Sequence, residues 1–500
     1  MFSNLSIGSV VKGSLWLYIG SVFFNLVGYL FWLVASLFVS PEVIGSAGAI
    51  ISLYTSLATV LSFGVPMGVR RFMGASWSEK DRGGLRSQLL VALILLAIVN
   101  LPVIGFIFLL SMAGVQLLGL ASIELGYVGL FLLLEFWPPL FYSVFNSVIR
   151  TRVIAFGDMA LSSIKLLGSI TFFLMGYGLI GILAGLAIGS LIRTGYFMIH
   201  TRKLLNENDG PEEEFWDFGK AKDMIAAGLA YWAPNTLTVL SQAIGVLAVY
   251  GFVGEGQTGL YYIALAIALI VYRFPDSIQA LMFPLLSGMS DGRKRAASRA
   301  IKISVTLAAP LSLLLVLYPS LPFIFLGSAY EGASELLRIL VIGAMIQPLI
   351  SGYTSYIYAI GRYLHVTIIG FVLMGGRLLL YILLLEPIGT LGIAVGYTLG
   401  IGLAIAPVIL SARYAQFRFQ WSILGKALLW PVLLSLAVLI ANLPWIIGIP
   451  SILLLSVIGY FRLHVLTRKD AAEIAFAFLG KETARRLYTR VRPLADWLLS

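Results

Sequence analysis

The sequence predicts an all-α polytopic membrane protein with about fourteen spanning helices. Composition is the first reason: of 500 residues, 59% are hydrophobic and 11% charged, whereas soluble domains carry about 25% charged residues. Length of the apolar runs is the second. Stretches such as 89–110 run unbroken, unlike barrel strands, which alternate over about ten residues. The third is the distribution of Lys and Arg. The odd-numbered connections (40–43, 113–122, 176–180, 251–257, 319–334, 386–390 and 444–449) contain none. The even-numbered ones hold Arg70, Arg71, Lys80, Arg82 and Arg86; Arg150 and Arg152; Arg202, Lys203, Lys220 and Lys222; Arg293, Lys294, Arg295, Arg299 and Lys302; Arg362; and Arg413, Arg418 and Lys426. Short cytoplasmic loops keep such residues, so both termini are expected in the cytoplasm of a multi-pass protein of the cell membrane.

In order, the expected spans are 14–39, 44–65, 87–112, 123–149, 156–176, 179–200, 224–250, 258–287, 300–318, 335–360, 364–386, 389–411, 424–443 and 449–466. The first has only Lys12 before it and is too long for a signal-peptide core, so it reads as a span. The longest polar interruption follows span six and contains Asn206, Asp209 and Glu212–Glu214. It divides the chain into an N-terminal lobe (1–205), a cytoplasmic linker (206–223), a C-terminal lobe (224–412), a helix pair (413–467) and a tail (468–500). The tail has seven Lys/Arg against four Asp/Glu, with apolar residues among them, and reads as surface helix at the cytoplasmic interface.

Two halves are echoed in the residues themselves. Gly45 and Gly74 recur as Gly259 and Gly288, Ser76 as Ser290 and Lys80 as Lys294, all at an offset of 214. Six spans return the chain to its starting side, so the two six-helix lobes form a parallel pseudo-repeat about an axis along the membrane normal.

Several function classes are excluded or disfavoured. The net charge of +11 lies mostly in cytoplasmic loops, where topology and anionic lipids account for it; no basic stripe interleaved with aromatics suggests nucleic acid. There is no cysteine. His200, His365 and His464 are dispersed, so neither a metal nor another cofactor is expected. No phosphate-binding Gly-x-x-x-x-Gly-Lys loop supports ATP drive.

Of the 34 Lys and Arg, five lie inside or at the ends of spans: Lys165, Arg193, Arg273, Arg338 and Arg377. Arg193 and Arg338 are close enough to span ends to snorkel. Lys165, Arg273 and Arg377 are near span centres, where a charge costs at least ~2.5–3.5 kcal/mol. Arg273 has Asp276 three residues on, on the same helix face: either a self-neutralised pair, or an arginine held toward a cavity. Lys165 and Arg377 are expected to meet Glu135, near the centre of span four, or a main-chain carbonyl. Pro234, Pro275 and Pro284 interrupt spans seven and eight and are expected to kink them.

Other segments resemble a known family. Ser14-Leu-Trp-Leu-Tyr-Ile-Gly20 followed by Pro41-Glu-Val-Ile-Gly45 is similar to the opening of the polysaccharide and oligosaccharide flippases of the multidrug/oligosaccharidyl-lipid/polysaccharide (MOP) exporter superfamily. Ser62-Phe-Gly-Val-Pro66 leading to Arg70-Arg71 resembles their second span. Leu326-Gly-Ser-Ala-Tyr330 with Ala333–Leu340, and Tyr358-Ala-Ile-Gly-Arg362, resemble the two ends of their tenth. The likeness covers roughly 1–466. It implies two six-helix lobes around a central cavity lined by spans one, two, seven and eight, and transport of a lipid-linked sugar from the cytoplasmic to the outer leaflet.

On that implication, Arg273, Lys165 and Arg377 are candidate ligands for a polyprenyl phosphate or pyrophosphate, because a guanidinium presents a fork matching phosphate oxygens. Asp276 would orient Arg273. Asn25, Asn235, Gln242 and Gln279 are candidates for sugar hydroxyls, or else bond helix to helix. Tyr231, Trp232, Tyr261, Tyr262 and Tyr272 are candidates for stacking on sugar rings, Tyr231 and Trp232 equally for the interfacial belt or helix packing. Arg70 and Arg71 mark the cytoplasmic mouth, and Glu135 and Asp276 are the central acids for H+ or Na+ coupling. Expected partners are the lipid-linked substrate, membrane lipids and enzymes of the same glycan pathway, with the chain as a monomer.

Two other functions compete. An organic-cation antiporter of the same superfamily should line its cavity with carboxylates, yet Glu135, Lys165, Arg273, Asp276 and Arg377 sum to +1. A membrane polymerase or glycosyltransferase should carry an extramembrane site. The longest outer loop, 319–334, has Tyr330 and Glu331 but no His and no paired acids, so an enzyme is not expected.

Overall fold

The structure, a computed structural model, describes residues 7–79, 81–207, 218–288, 291–467 and 470. Lys80, most of the expected linker and the tail beyond Asp470 lie outside the described residues. Helices make up nearly all of it: α1 (Ile7–Phe38), α2 (Pro41–Val60), α3 (Val65–Glu79), α4 (Arg82–Met112), α5 (Ser122–Glu135), α6 (Pro138–Ser147), α7 (Thr151–Leu174), α8 (Gly178–Asn206), α9 (Phe218–Phe252) and α10 (Glu255–Gly288). They continue with α11 (Arg293–Leu317), α12 (Ala333–Ala359), α13 (Tyr363–Leu403), α14 (Ile405–Tyr414), α15 (Trp421–Ile440) and α16 (Trp445–Arg462). Among the described residues, twelve segments are long and apolar enough to cross a membrane. One of them, Tyr363–Tyr414, contains two of the expected spans, and Phe23–Phe38 adds a shorter apolar helix. The protein is therefore a multi-pass all-α membrane protein.

Three local differences from the expected elements have physical causes. Span two does not end at the basic segment. It breaks at Phe63 and Gly64, both at positive φ (43° and 72°), and resumes as α3, so Arg70 and Arg71 sit on a helix rather than in a loop. Span four breaks after Glu135, because Pro138 and Pro139 lack the N–H groups that would continue α5; Pro138 instead starts α6. Spans eleven and twelve join through Pro387 and through Gly389, whose φ of 59° suits a residue without Cβ.

The Cα positions divide into two compact units. The first comprises 1–266, 325–333 and 374–396. In it α1 packs on α7, α7 on α8, α2 and α3 on α9, and α4 on α5. Its core includes Ile50, Leu89, Phe131 and Val144, with Tyr54 stacked on Phe131 at 5.3 Å. The α7–α8 seam is tight because Gly185 and Gly189, four residues apart, present no side chain to Ser169 and Leu161, the small-residue device of membrane helices.

The 214-residue echo has a structural meaning inside this unit. A Cβ on Gly45 would collide with the Glu255 carbonyl, and one on Gly259 would collide with the Pro41 carbonyl. Pro41 and Glu255, which begin α2 and α10, are separated by the same offset as Gly45 and Gly259. Each glycine thus receives the first residue of the other helix, the reciprocity that two-fold related surfaces have.

The second unit comprises 267–324, 334–373 and 397–500. Here α15 packs on α11 and α16. Polar ends of aromatic side chains lock helix to helix: Tyr318 donates to the Leu443 carbonyl (2.8 Å), Tyr460 to Ala427 (3.0 Å) and Trp430 to Leu455 (2.9 Å). Leu429, Leu433, Ile440, Ile446 and Leu454 remain exposed, as residues facing lipid tails do.

Candidate functional site

In the first unit, charged side chains from three spans converge. Glu135 is the last residue of α5, so the proline break that follows fixes where its carboxylate lies. On α8, Ser190 and Arg193 are three residues apart and share a face. On α7, Asp158 and Lys165 are seven apart and also share one. Arg193 donates to Glu135 Oε2 at 2.7 Å and lies 3.7 Å from Asp158 Oδ1. The Ser190 hydroxyl donates to Glu135 Oε1, and the Tyr142 hydroxyl on α6 bonds Asp158. The side chains of Arg193, Glu135 and Asp158 are 12%, 15% and 18% exposed. One arginine therefore joins two carboxylates in a low-dielectric setting, where each charge needs its partner.

Lys165 takes a different solution. Its ammonium lies 3.8 Å from the centroid of the Phe31 ring and 5.2 Å from that of Trp32, a cation–π arrangement between α7 and α1. Glu135 is the carboxylate whose charge reaches it, but the ion-pair partner of Glu135 is Arg193. Arg377 is 3% exposed and donates to the Ser241 hydroxyl on α9 at 2.7 Å; Tyr381, one turn on, donates to the Ser241 carbonyl at 3.2 Å. So neither of the two expected cations takes Glu135.

Arg193, expected to snorkel, instead points inward to two acids, and Asp158 was absent from the candidates altogether. The signal that could have found them is pairing demand: Glu135 needs a cation, and Arg193 lies on the next span but one. Arg338, the other snorkelling candidate, reaches Glu335 at 2.8 Å and the Val316 carbonyl at 3.1 Å.

Arg273 stands apart from these. It lies midway along α10 and is exposed. The side chains of Asp276 and Gln279 lie outside the described residues, as do those of Arg71 and Tyr231. Asn235 and Arg70 are exposed, while Asn25 and Gln242 are half-buried. Three of the stacking candidates serve packing. Trp232 donates to the carbonyls of Thr59 (3.1 Å) and Val60 (3.0 Å) and stacks on Phe63. Tyr261 is fully buried. Tyr272 donates to the Leu340 carbonyl at 2.8 Å. Tyr262 sits edge-on to Trp32 at 5.1 Å, beside the Lys165 cage. Among the described residues no cluster of three or more His, Asp or Glu could hold a metal.

A sequence profile of the family described as polysaccharide biosynthesis protein matches residues 141–335. A lipid II flippase, MurJ, in an inward closed conformation superposes with a TM-score of 0.71 at 16% identity, covering 90% of this chain and 99% of that one. The chain has the fold of the MOP superfamily. A multidrug-resistance MATE transporter of that superfamily, inward-facing, gives a TM-score of 0.63 at 13% identity over 83% of this chain and 96% of that one. Another MOP transporter, from Pyrococcus furiosus and described as having a binding pocket of reversed polarity, gives 0.56 at 16% identity over 82% and 95%. No curated protein matches the sequence. The MOP fold was thus readable from the sequence, and solved proteins that share it include a flippase and transporters.

Proposed function

We propose that this MOP-fold protein is a flippase that moves a polyprenyl-phosphate- or pyrophosphate-linked oligosaccharide from the cytoplasmic to the outer leaflet by alternating access, for cell-surface polysaccharide or glycan synthesis. The observation that carries the reading is Arg273: a guanidinium exposed halfway along α10, at the end of its apolar stretch Glu255–Arg273. Hydrocarbon is a costly neighbour for such a group, which supports its facing a hydrated path, and its forked donors suit phosphate oxygens. The polysaccharide family match over 141–335 supports the same cargo class.

On this reading the two lobes rock about their pseudo-repeat axis, with both termini in the cytoplasm of the cell membrane and the chain acting as a monomer without cofactor. Arg377 and Lys165 are set into packing and serve structure before cargo. Glu135, with Asp158, is the place where H+ or Na+ would couple: a cation joining either carboxylate weakens its hold on Arg193.

Export of an organic cation is the second reading, because MATE transporters share the fold. It asks for carboxylates free to bind cargo, whereas Glu135 and Asp158 are already engaged by Arg193. Purified protein in liposomes, given a fluorescent polyprenyl-pyrophosphate sugar in one arm and an organic cation in the other, decides between them. Exchange of the lipid between leaflets with no export of the cation is expected; the reverse would overturn the proposal.

A further inference from the structure

The second unit gathers a basic platform from three connections. Segments 287–296, 355–368 and 408–428 carry Arg293, Lys294, Arg295, Arg362, Arg413, Arg418 and Lys426 against one carboxylate, Asp291. That carboxylate accepts from the Gly292 N–H at 2.6 Å. Two helix ends bring the cations together. α12 closes with Gly361 at φ 79°, its turn sealed by Arg362 N–H to the Ile357 carbonyl (3.1 Å). α14 closes with Gln416 at φ 50°, sealed by Phe417 N–H to Ala412 (2.8 Å). Arg362 then reaches the Tyr414 carbonyl at 3.4 Å and Lys294 the Gln416 carbonyl at 3.0 Å.

These contacts fix position without cancelling charge. Elsewhere on the basic face the cations meet acids: Arg150 takes Glu207, and Arg299 and Lys302 share Asp470. Among the described residues Arg362, Arg413 and Arg418 have no carboxylate partner, and all three are exposed. The turn beneath them is rigid. Tyr353 packs on Phe417 at 5.4 Å and on Phe419 at 5.7 Å, and Phe419 on Trp421 at 5.1 Å. The Ser411 hydroxyl bridges Tyr353 and His365 at 2.8 and 2.9 Å. Exposed Tyr363, Tyr414 and Trp421 rim the platform, and such rings settle at headgroup depth.

We propose that this platform binds the phosphate of an anionic phospholipid in the leaflet on the basic side of the membrane, independently of what the protein transports. Guanidinium forks at Arg362, Arg413 and Arg418 would take the phosphodiester oxygens, the aromatic rim would meet the glycerol and upper acyl region, and exposed Leu364 the tails. The occupant is a lipid rather than a soluble anion because the rim is apolar and lies at a span end.

The test is thermal unfolding of the full chain in mixed micelles, with phosphatidylglycerol, phosphatidylcholine or inorganic phosphate added to wild type and to the Arg362→Gln/Arg413→Gln/Arg418→Gln variant. Phosphatidylglycerol is expected to raise the wild-type Tm by about 3 °C or more, with the rise shrinking at high salt and mostly lost in the variant. The corresponding triple Lys variant keeps part of it. An equal rise with phosphatidylcholine or with inorganic phosphate, or a variant that responds like wild type, overturns the proposal. Should the triple variant not fold, Arg418→Gln alone gives the same reading at smaller amplitude.

Discussion

Arg193 and Arg273 are both arginines within apolar spans, and the structure treats them in opposite ways. Arg193 is pulled inside the first unit and divided between Glu135 and Asp158. Arg273 is left exposed halfway along α10, in the second unit. A charge inside a membrane span has two workable settings, a buried partner or a hydrated path. The first gives stability that fails when one partner is lost; the second keeps the guanidinium at the helix surface. Sequence position does not separate them, since Arg193 lies nearer its span end and would have been the easier one to expose.

The largest expected effect is on the buried side. Arg193→Ala strands two carboxylates and should lower stability by about 3–5 kcal/mol. Its Tm in detergent should fall well below wild type, and Glu135→Gln added to it should recover part of the loss. A wild-type Tm for Arg193→Ala would mean that the network is not what holds α5, α7 and α8 together.

A third arrangement, outside the spans, calibrates the pair. Asp470 is 1% exposed and holds Arg299 at 2.5 Å and Lys302 at 2.6 Å. Burial alone would raise its carboxyl. The bonds from Lys302, the Thr467 N–H, Arg299 and the Thr467 hydroxyl more than offset that, and bring it from 3.8 down to about 2. A carboxylate lowered by folding stabilises the fold fully above its unfolded value and loses that contribution as pH falls through its folded value. Wild type should lose about 2 kcal/mol between pH 4 and 2 from this group. Asp470→Asn should lack that portion of the acid transition and be weaker by a similar amount at neutral pH. Identical acid profiles for the two proteins would contradict the assignment.

Smaller still is Tyr142→Phe, which removes one hydroxyl from Asp158 while Arg193 remains. A cost of about 0.5–1.5 kcal/mol is expected, read by chemical unfolding against wild type. Arg273→Ala should be the mildest, within about 0.5 kcal/mol of wild type. A large drop there would put Arg273 in the same class as Arg193.

What the sequence revealed follows from which constraints are local. A span needs about twenty apolar residues in a row, so helix existence and order were legible, and the prolines at 138–139 and 387 sit where helices break or kink. The offset of 214 was legible as an echo, but not that Gly45 and Gly259 are the points where α2 and α10 touch. Helix rotation about its own axis was not legible. Arg193 and Glu135 lie 58 residues apart, and nothing near either states that they face one another. Nor was it legible that the donors of Trp232 and Tyr272 go to the Thr59 and Leu340 carbonyls.

Leaflet exchange of a fluorescent polyprenyl-pyrophosphate sugar, compared between wild type, Arg273→Ala and Arg273→Lys in liposomes at equal folded yield, tests the central claim most directly. Exchange by wild type, loss in Arg273→Ala and partial return in Arg273→Lys, which keeps the charge without the fork, are expected. Arg273→Ala moving the lipid at the wild-type rate would contradict it.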